Sequence, residues 1–371
     1  MPSYSIQFRR GTATDHSSFT GEFAEITVDI TNNRIILHDG ETPGGIPIAK
    51  LSDVPVDVGD LSDDLTHIAA ATTPVSTGTW YGSRAFFVGG SNWTTKSIEY
   101  IDIDTIGNGT VGGANLDRRY FSTAVSDSNR IITLGSRSNL SPENTTSEYF
   151  DIASSATSYE FGNLTKIIDQ ATSTSDGLYG LMTGAAQGTY SEIAYITIQT
   201  PGDAQDFGDL SSNRWGTAAG GDQNIAIFAG GQYGSYFQNT IDTISYSTPG
   251  TATSHGNLST ATRNLGATSN DTRTVFHIGR TAHTTPYSKQ VQYLTTATGG
   301  TATIATGQTL YNQSYVQMAN NGTRLVNQGY YEIQNFYEKV QYQDMNTLAE
   351  AQDFGILADG INARAAASGN P

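Results

Sequence analysis

The chain has no cysteine among its 371 residues. That absence excludes disulfide staples, thiolate metal sites and thiol nucleophiles, and it suits synthesis in a reducing cytoplasm. Charge is scarce as well: 15% of residues are charged, with 19 lysines and arginines against 35 aspartates and glutamates. The formal charge of −16 argues against a nucleic-acid binder, which needs a basic stripe. No apolar run reaches the roughly 18 residues of a membrane-spanning helix. The start lacks the charged and apolar regions of a secretory signal. Nor is there a P-loop, a dinucleotide fingerprint or a G-x-S-x-G elbow.

Present in their place are 40 glycines and 20 tyrosines in a background of Ser, Thr and Asn. This is a composition of strands and tight turns, and the expected class is all-β. The stretch from Ser211 to Leu258 shows the plan. Four short β-like pieces are separated by Gly221-Asp222, Gly230-Gly231 and Pro249-Gly250. Four strands in about 48 residues fit one blade of a β-propeller.

Three markers recur six times in the same order. An apolar strand ends at Gly (Arg84–Gly90, Arg130–Gly135, Leu178–Gly184, Ile225–Gly231, Arg273–Gly279, Thr323–Gly329). An alternating strand follows (Ser97–Ile103, Thr146–Ile152, Glu192–Ile198, Thr240–Tyr246, Lys289–Thr295, Glu338–Asp344). A closing leucine ends each copy: Leu116, Leu164, Leu210, Leu258, Leu310 and Leu357. A lone copy cannot bury both faces, so the copies must pack on one another. Six blades in a closed ring over residues 69–371 are expected. Ile361–Gly369 falls where a seventh first strand would start, and it is expected to complete blade one against Arg84–Gly90. The rival for that place is His67–Val75.

Residues 1–50 read differently. Glu25–Ile30 and Arg34–His38 flank Thr31-Asn32-Asn33 as a β-hairpin, with Ser5–Arg9 as an early strand. So small a piece buries little apolar surface and calls for partners. Its motifs, QFRRGT (Gln7–Thr12), His16, FTG (Phe19–Gly21), EITVD (Glu25–Asp29), HDG (His38–Gly40) and GGIPIA (Gly44–Ala49), resemble the N-terminal domain of the phage major tropism determinant. That module is shared by phage tail-fibre and receptor-binding proteins. The resemblance covers about 45 residues. It implies a virion protein, a homotrimer, and attachment of a receptor-binding part to the tail. It gives His16 and His38 as recurrent, with a structural hydrogen-bonding role at a turn set against a metal pair. The family's namesake continues into a lectin-like domain, whereas this chain continues into repeats, so no ligand transfers.

Residues 51–68 form an acidic linker or a short neck. Val54, Val58, Leu61, Leu65 and Ile68 step in a coiled-coil rhythm, while Pro55 and Gly59 oppose a helix. The repeats resemble kelch repeats, with the double glycine intact at Gly89-Gly90 and Gly230-Gly231, but lack the tryptophan kelch places after the third strand.

No catalytic constellation emerges. Glu99 and Glu148 share one strand register, which suggests a structural ladder rather than a unique acid pair. His67, His255, His277 and His283 lack metal-ligand spacing. The chain is read as a non-enzyme with no cofactor and no metal; a depolymerase is the catalytic rival. The six loops after the second strands should share one rim, and they hold aromatics among Asn, Gln, Ser and Thr. The candidate ligand-binding residues there are Trp93, Tyr190, Tyr233, Tyr236, Phe237, His283, Tyr287, Tyr330 and Tyr331, a set suited to stacking on sugar rings. Trp80, Tyr81 and Trp215 are assigned to the core.

The expected function is a phage tail-fibre protein in the virion, made in the host cytoplasm. Residues 1–50 would join other tail proteins, and the propeller would bind a host surface glycan or protein, with no membrane insertion. The alternative is a structural virion protein, such as a collar, nozzle or capsid decoration, whose propeller docks other virion proteins.

Overall fold

The computed structural model describes residues 9–23, 25–31, 34–38, 40–43, 46–50, 80–90, 96–119, 121–135, 145–154, 157–166, 170–184, 191–283, 287–330, 338–358 and 365–370. The described residues are almost all strand and turn, so the fold is all-β. The chain divides into two compact bodies, Met1–Pro74 and Val75–Pro371. The linker or neck at 51–68 and the rival strand His67–Val75 lie outside the described residues.

The first body is a four-stranded sheet. Arg9–Gly11 runs parallel to Ile26–Asp29, which pairs antiparallel with Arg34–Leu37, and that strand with Ile46–Lys50. A short helix, Ala13–Ser17, was not expected. Its signal is Thr12-x-x-Asp15, a capping box: the Thr12 hydroxyl accepts from the Asp15 amide, and the Asp15 carboxylate accepts from the Thr12 amide.

The second body repeats a four-strand antiparallel unit. Unit two, for example, runs Thr123–Ser126, Arg130–Leu134, Thr146–Asp151, Tyr159–Asn163 in spatial order. Unit one takes its first strand from the chain end: Ala365–Gly369 pairs antiparallel with Arg84–Val88. Units five and six share the 18-residue strand Thr303–Asn320, whose first part pairs with Ser288–Thr295 and whose last part pairs with Arg324–Tyr330.

The first strands touch in a closed circuit: Thr123–Ser126, Thr172–Ser175, Ala218–Gly221, Gly266–Ser269, the end of Thr303–Asn320, Ala365–Gly369, and back to Thr123–Ser126. Equivalent polar residues bond around this circuit. Ser175 Oγ donates to Ser126 O at 2.5 Å, Ser126 Oγ to Ser368 O at 2.6 Å, Ser368 Oγ to Asn320 O at 2.6 Å, and Asn320 Nδ2 to Ser269 O at 3.0 Å. Gly221 has no side chain to continue the series, and its amide donates instead to Ser269 Oγ. Small residues of all six first strands line a narrow axial cavity of about 70 Å³, with Trp80 at its border.

Strand alternation explains the packing. Phe86 faces unit two, against Ile131 and Phe150, while Phe87 faces unit six, against Val326 and Phe354. A separate apolar cluster fills each junction between consecutive units, including that between the sixth and the first. The second strands are therefore buried on both faces by the neighbouring units, while the outer strands stay partly exposed.

Two closing leucines are corrected. Asn115 makes the bond to Lys96 O that Leu164, Leu210 and Leu357 make in their own units, and it is 3% exposed, while Leu116 is 44% exposed. Thr309, fully buried, takes that place before Leu310. The position is set by the chain path: Asn115 holds it through its backbone amide while its buried side-chain amide has no partner among the described residues, and Thr309 Oγ1 donates to Tyr311 O at 2.8 Å, so the apolar marker slips by one.

Candidate functional site

The buried carboxylates belong to the junctions between units. Glu148 accepts from the amides of Leu116 and Asp117, both at 2.8 Å, and from Ser158 Oγ. Glu99 accepts from the Ala358 amide at 2.7 Å. In the same strand position Asp242 accepts from the Ser211 amide at 2.9 Å, Gln292 from Ser259 at 2.8 Å, and Gln341 from Leu310 at 2.7 Å. Each latches the end of one unit to the third strand of the next. Ala194 replaces the latch in unit three, where Glu192 instead holds Thr165 Oγ1 at 2.7 Å and Lys166 Nζ at 2.5 Å. Two buried arginines complete the set, with Arg119 2.6 Å from Glu148 and Arg214 2.9 Å from Asp242. Among the described residues no group of three or more His, Asp or Glu is placed to hold a metal ion.

The antiparallel register puts the loop after the second strand and the loop before the first strand at the same end of each unit. In unit four Gln232–Tyr233 pairs with Tyr236–Ser245 across a two-residue turn. Gly234 sits there at φ +55°, the left-handed conformation such a hairpin requires. Tyr233 and Tyr236 face each other across the turn, and they are 51% and 74% exposed. Phe237 packs instead on His283 of unit five, with ring centroids 4.8 Å apart. His283 Nε2 donates to Ser235 O at 3.0 Å, tying the two loops together.

Two residues that sequence reasoning passed over, Arg263 and Arg280, and one that it assigned to the core, Trp215, complete this rim. Arg263 lays its guanidinium over Trp215 at 4.6 Å and Phe237 at 5.5 Å. Its backbone pairs directly with that of Arg280, N to O at 3.0 and 2.9 Å. Burial lowers the Arg263 pKa from its ordinary value. Arg280 Nε donates to Ala282 O at 3.0 Å, and its Nη2 to His283 O. Trp215, assigned to the core from sequence, is half-buried because it serves as the platform for Arg263.

The structure thus gathers Tyr233, Tyr236, Phe237 and His283 on one rim. Tyr287, half-buried, lies close enough to act on the charge of Arg263. Trp93, Tyr190 and Tyr331 lie outside the described residues, as does the side chain of Tyr330, whose backbone ends the strand Arg324–Tyr330. Trp80 and Tyr81, also assigned to the core, are half-buried at the opposite end. Their rings meet edge to face at 5.3 Å, and Tyr81 Oη donates to Asp271 at 3.0 Å. Burial, then that bond, pushes the Tyr81 phenol up to about 12.

In the first body His16 and His38 flank Thr27. His16 Nδ1 donates to Thr12 O at 2.9 Å, and its Nε2 lies 2.9 Å from Thr27 Oγ1. His38 Nδ1 accepts from the Gly21 amide at 3.2 Å, and its Nε2 lies 2.9 Å from the same hydroxyl. These partners fix the tautomers: His38 Nε2 donates to Thr27 Oγ1, which donates to His16 Nε2. Every ring nitrogen is occupied, a structural hydrogen-bonded chain rather than a metal pair. Ile26, Ile35 and Leu37 share the other face of the sheet and are exposed, as is Ile30 just beyond the strand.

Residues 6–42 match the family model described as the major tropism determinant N-terminal domain. The chain is also 50% identical, over 48 residues, to the tail fiber receptor-binding protein of Bordetella phage BPP-1. That alignment spans 13% of this chain and 13% of the relative. The residues matched by the family model lie in the first body.

Proposed function

We propose that this protein is a phage tail-fibre protein whose first body attaches it to the virion and whose second body binds the host surface. The observation that carries the reading is the first body's match to a domain found at the head of a tail fiber receptor-binding protein. The second body is then a closed six-bladed, kelch-like propeller, a reading supported by the circuit of first strands and the six junction cores. Its rim offers aromatics beside amides and hydroxyls, the surface a glycan or protein receptor needs. The exposed Ile26, Ile35 and Leu37 fit a first body that assembles as a homotrimer, and three propellers would add avidity. Catalysis is not part of the reading, because the buried carboxylates are committed to the junctions.

Competition tests the receptor role. Purified full-length chain, added to cells of a strain the phage infects, should reduce adsorption of the virus, and Tyr236→Ala should weaken the block. No block at any concentration would remove the receptor role, and a virion map placing the chain in an inner, fully contacted ring would assign it to virion structure instead.

A further inference from the structure

Among the described residues, the rim between units four and five holds a charge without a counter-charge. Arg263 presents a planar guanidinium with five N–H donors, and among the described residues none meets a hydrogen-bond acceptor or a carboxylate. Its Nε is buried with no partner. Directly opposite sits a second arginine, Arg280, whose own bonds go to loop carbonyls. Like charges placed opposite one another across a strand pair are destabilising, and a partly desolvated, unpaired guanidinium adds to that cost. The chain carries a formal −16, so acidic side chains are plentiful, yet Asp242, the carboxylate of unit four's third strand, is occupied by Arg214. The hairpin whose Phe237 ring lies under Arg263 also carries the exposed rings of Tyr233 and Tyr236.

We propose that this rim is a subsite for a carboxylate-bearing sugar, with Arg263 and Arg280 holding the carboxylate and the tyrosine rings stacking on the apolar face of the sugar. The guanidinium fork matches a carboxylate in two parallel hydrogen bonds. Stacking on Trp215 and Phe237 fixes the plane of that fork before the ligand arrives, so little entropy is lost on binding. Phosphate-bearing polymers would meet the same charge without needing the aromatic flank. The inference rests on the receptor reading and narrows it to acidic glycans.

The test uses the full-length chain and defined probes: oligosialate, oligogalacturonate, the carboxyl-reduced form of each, a neutral galactan and a polyglycerol phosphate. Titration calorimetry should show one acidic sugar bound and its carboxyl-reduced form not bound. Arg280→Gln should weaken that binding about tenfold or more, and Arg263→Lys, which keeps charge but loses the fork, should also weaken it. Thermal melts of both variants check that the fold survives, and Arg280→Gln serves if Arg263→Lys does not fold. Equal binding of the carboxyl-reduced forms, binding of the phosphate polymer alone, an unchanged Arg280→Gln, or no acidic sugar bound would each overturn the proposal. Should the chain still block phage adsorption in those cases, the receptor reading stands and only the acidic subsite falls.

Discussion

Two ion pairs at the junctions of the units, Arg119–Glu148 and Arg214–Asp242, are almost wholly out of water. Such a pair offsets its own desolvation, so removing one member strands the other. Glu148→Ala is therefore expected to lower unfolding free energy by about 3–5 kcal/mol in denaturant titration, well beyond the effect of Asp151→Ala, whose exposed contact with Arg130 is worth under about 1 kcal/mol. His277 is the second residue-scale test. Complete burial holds its pKa down to about 3, against 6.5 ordinarily. The unfolded chain thus binds a proton between these values and the folded chain does not. Stability contributed by neutral His277 is present above about pH 6.5 and declines as pH falls toward 3. Denaturant midpoints at about pH 7 and about pH 5 should differ less in His277→Gln than in the parent. The shared register of Glu99 and Glu148 was legible in the sequence. Their arginine partners were not, since Arg119 and Arg214 lie about 30 residues away and only the folded junction brings them in.

Among the elements, the outer strands meet through glycine. Gly208 lies at φ +140°, and a Cβ there would come 1.8 Å from the Gly250 carbonyl oxygen. Gly162 and Gly256 stand in the same relation to Gly202 and Gly300. The glycine two residues before the closing Leu164, Leu210 and Leu258 thus makes a contact between backbones of consecutive units, for which any side chain is too large. Gly208→Ala should cost roughly 1–3 kcal/mol or more, read as a fall in melting temperature. Gly202→Ala, with open space around its Cβ, should change stability by no more than about 0.5 kcal/mol. Strand type and period were readable because alternation toward two buried faces leaves a strong apolar signal. The helix Ala13–Ser17 escaped notice because its five residues carry no apolar period, only a cap. The slip at Asn115 and Thr309 has the same root: backbone pairing, not hydrophobicity, decides that position.

At the scale of the molecule, the repeats matter because their order ends where it begins. Arg324 Nη1 reaches Ile103 O at 2.8 Å, Glu99 receives the Ala358 amide, and Ser368 Oγ reaches Asn320 O, so the last unit is bonded to the first by several independent contacts. The pairing of Ala365–Gly369 with Arg84–Val88 covers an edge that a second chain could otherwise extend. Half of the candidate rim was visible in the sequence as aromatic loops; the arginine pair was invisible, because Arg263 and Arg280 sit in different loops and face each other only across an isolated bridge. The most direct measurement is a cryo-electron microscopy map of the purified full-length chain. The account predicts six radial sheets around one axis, with Ala365–Gly369 as the innermost strand of the sheet that contains Arg84–Val88. A map with five or seven sheets, an open stack, or a C-terminal strand detached from Arg84–Val88 would contradict it.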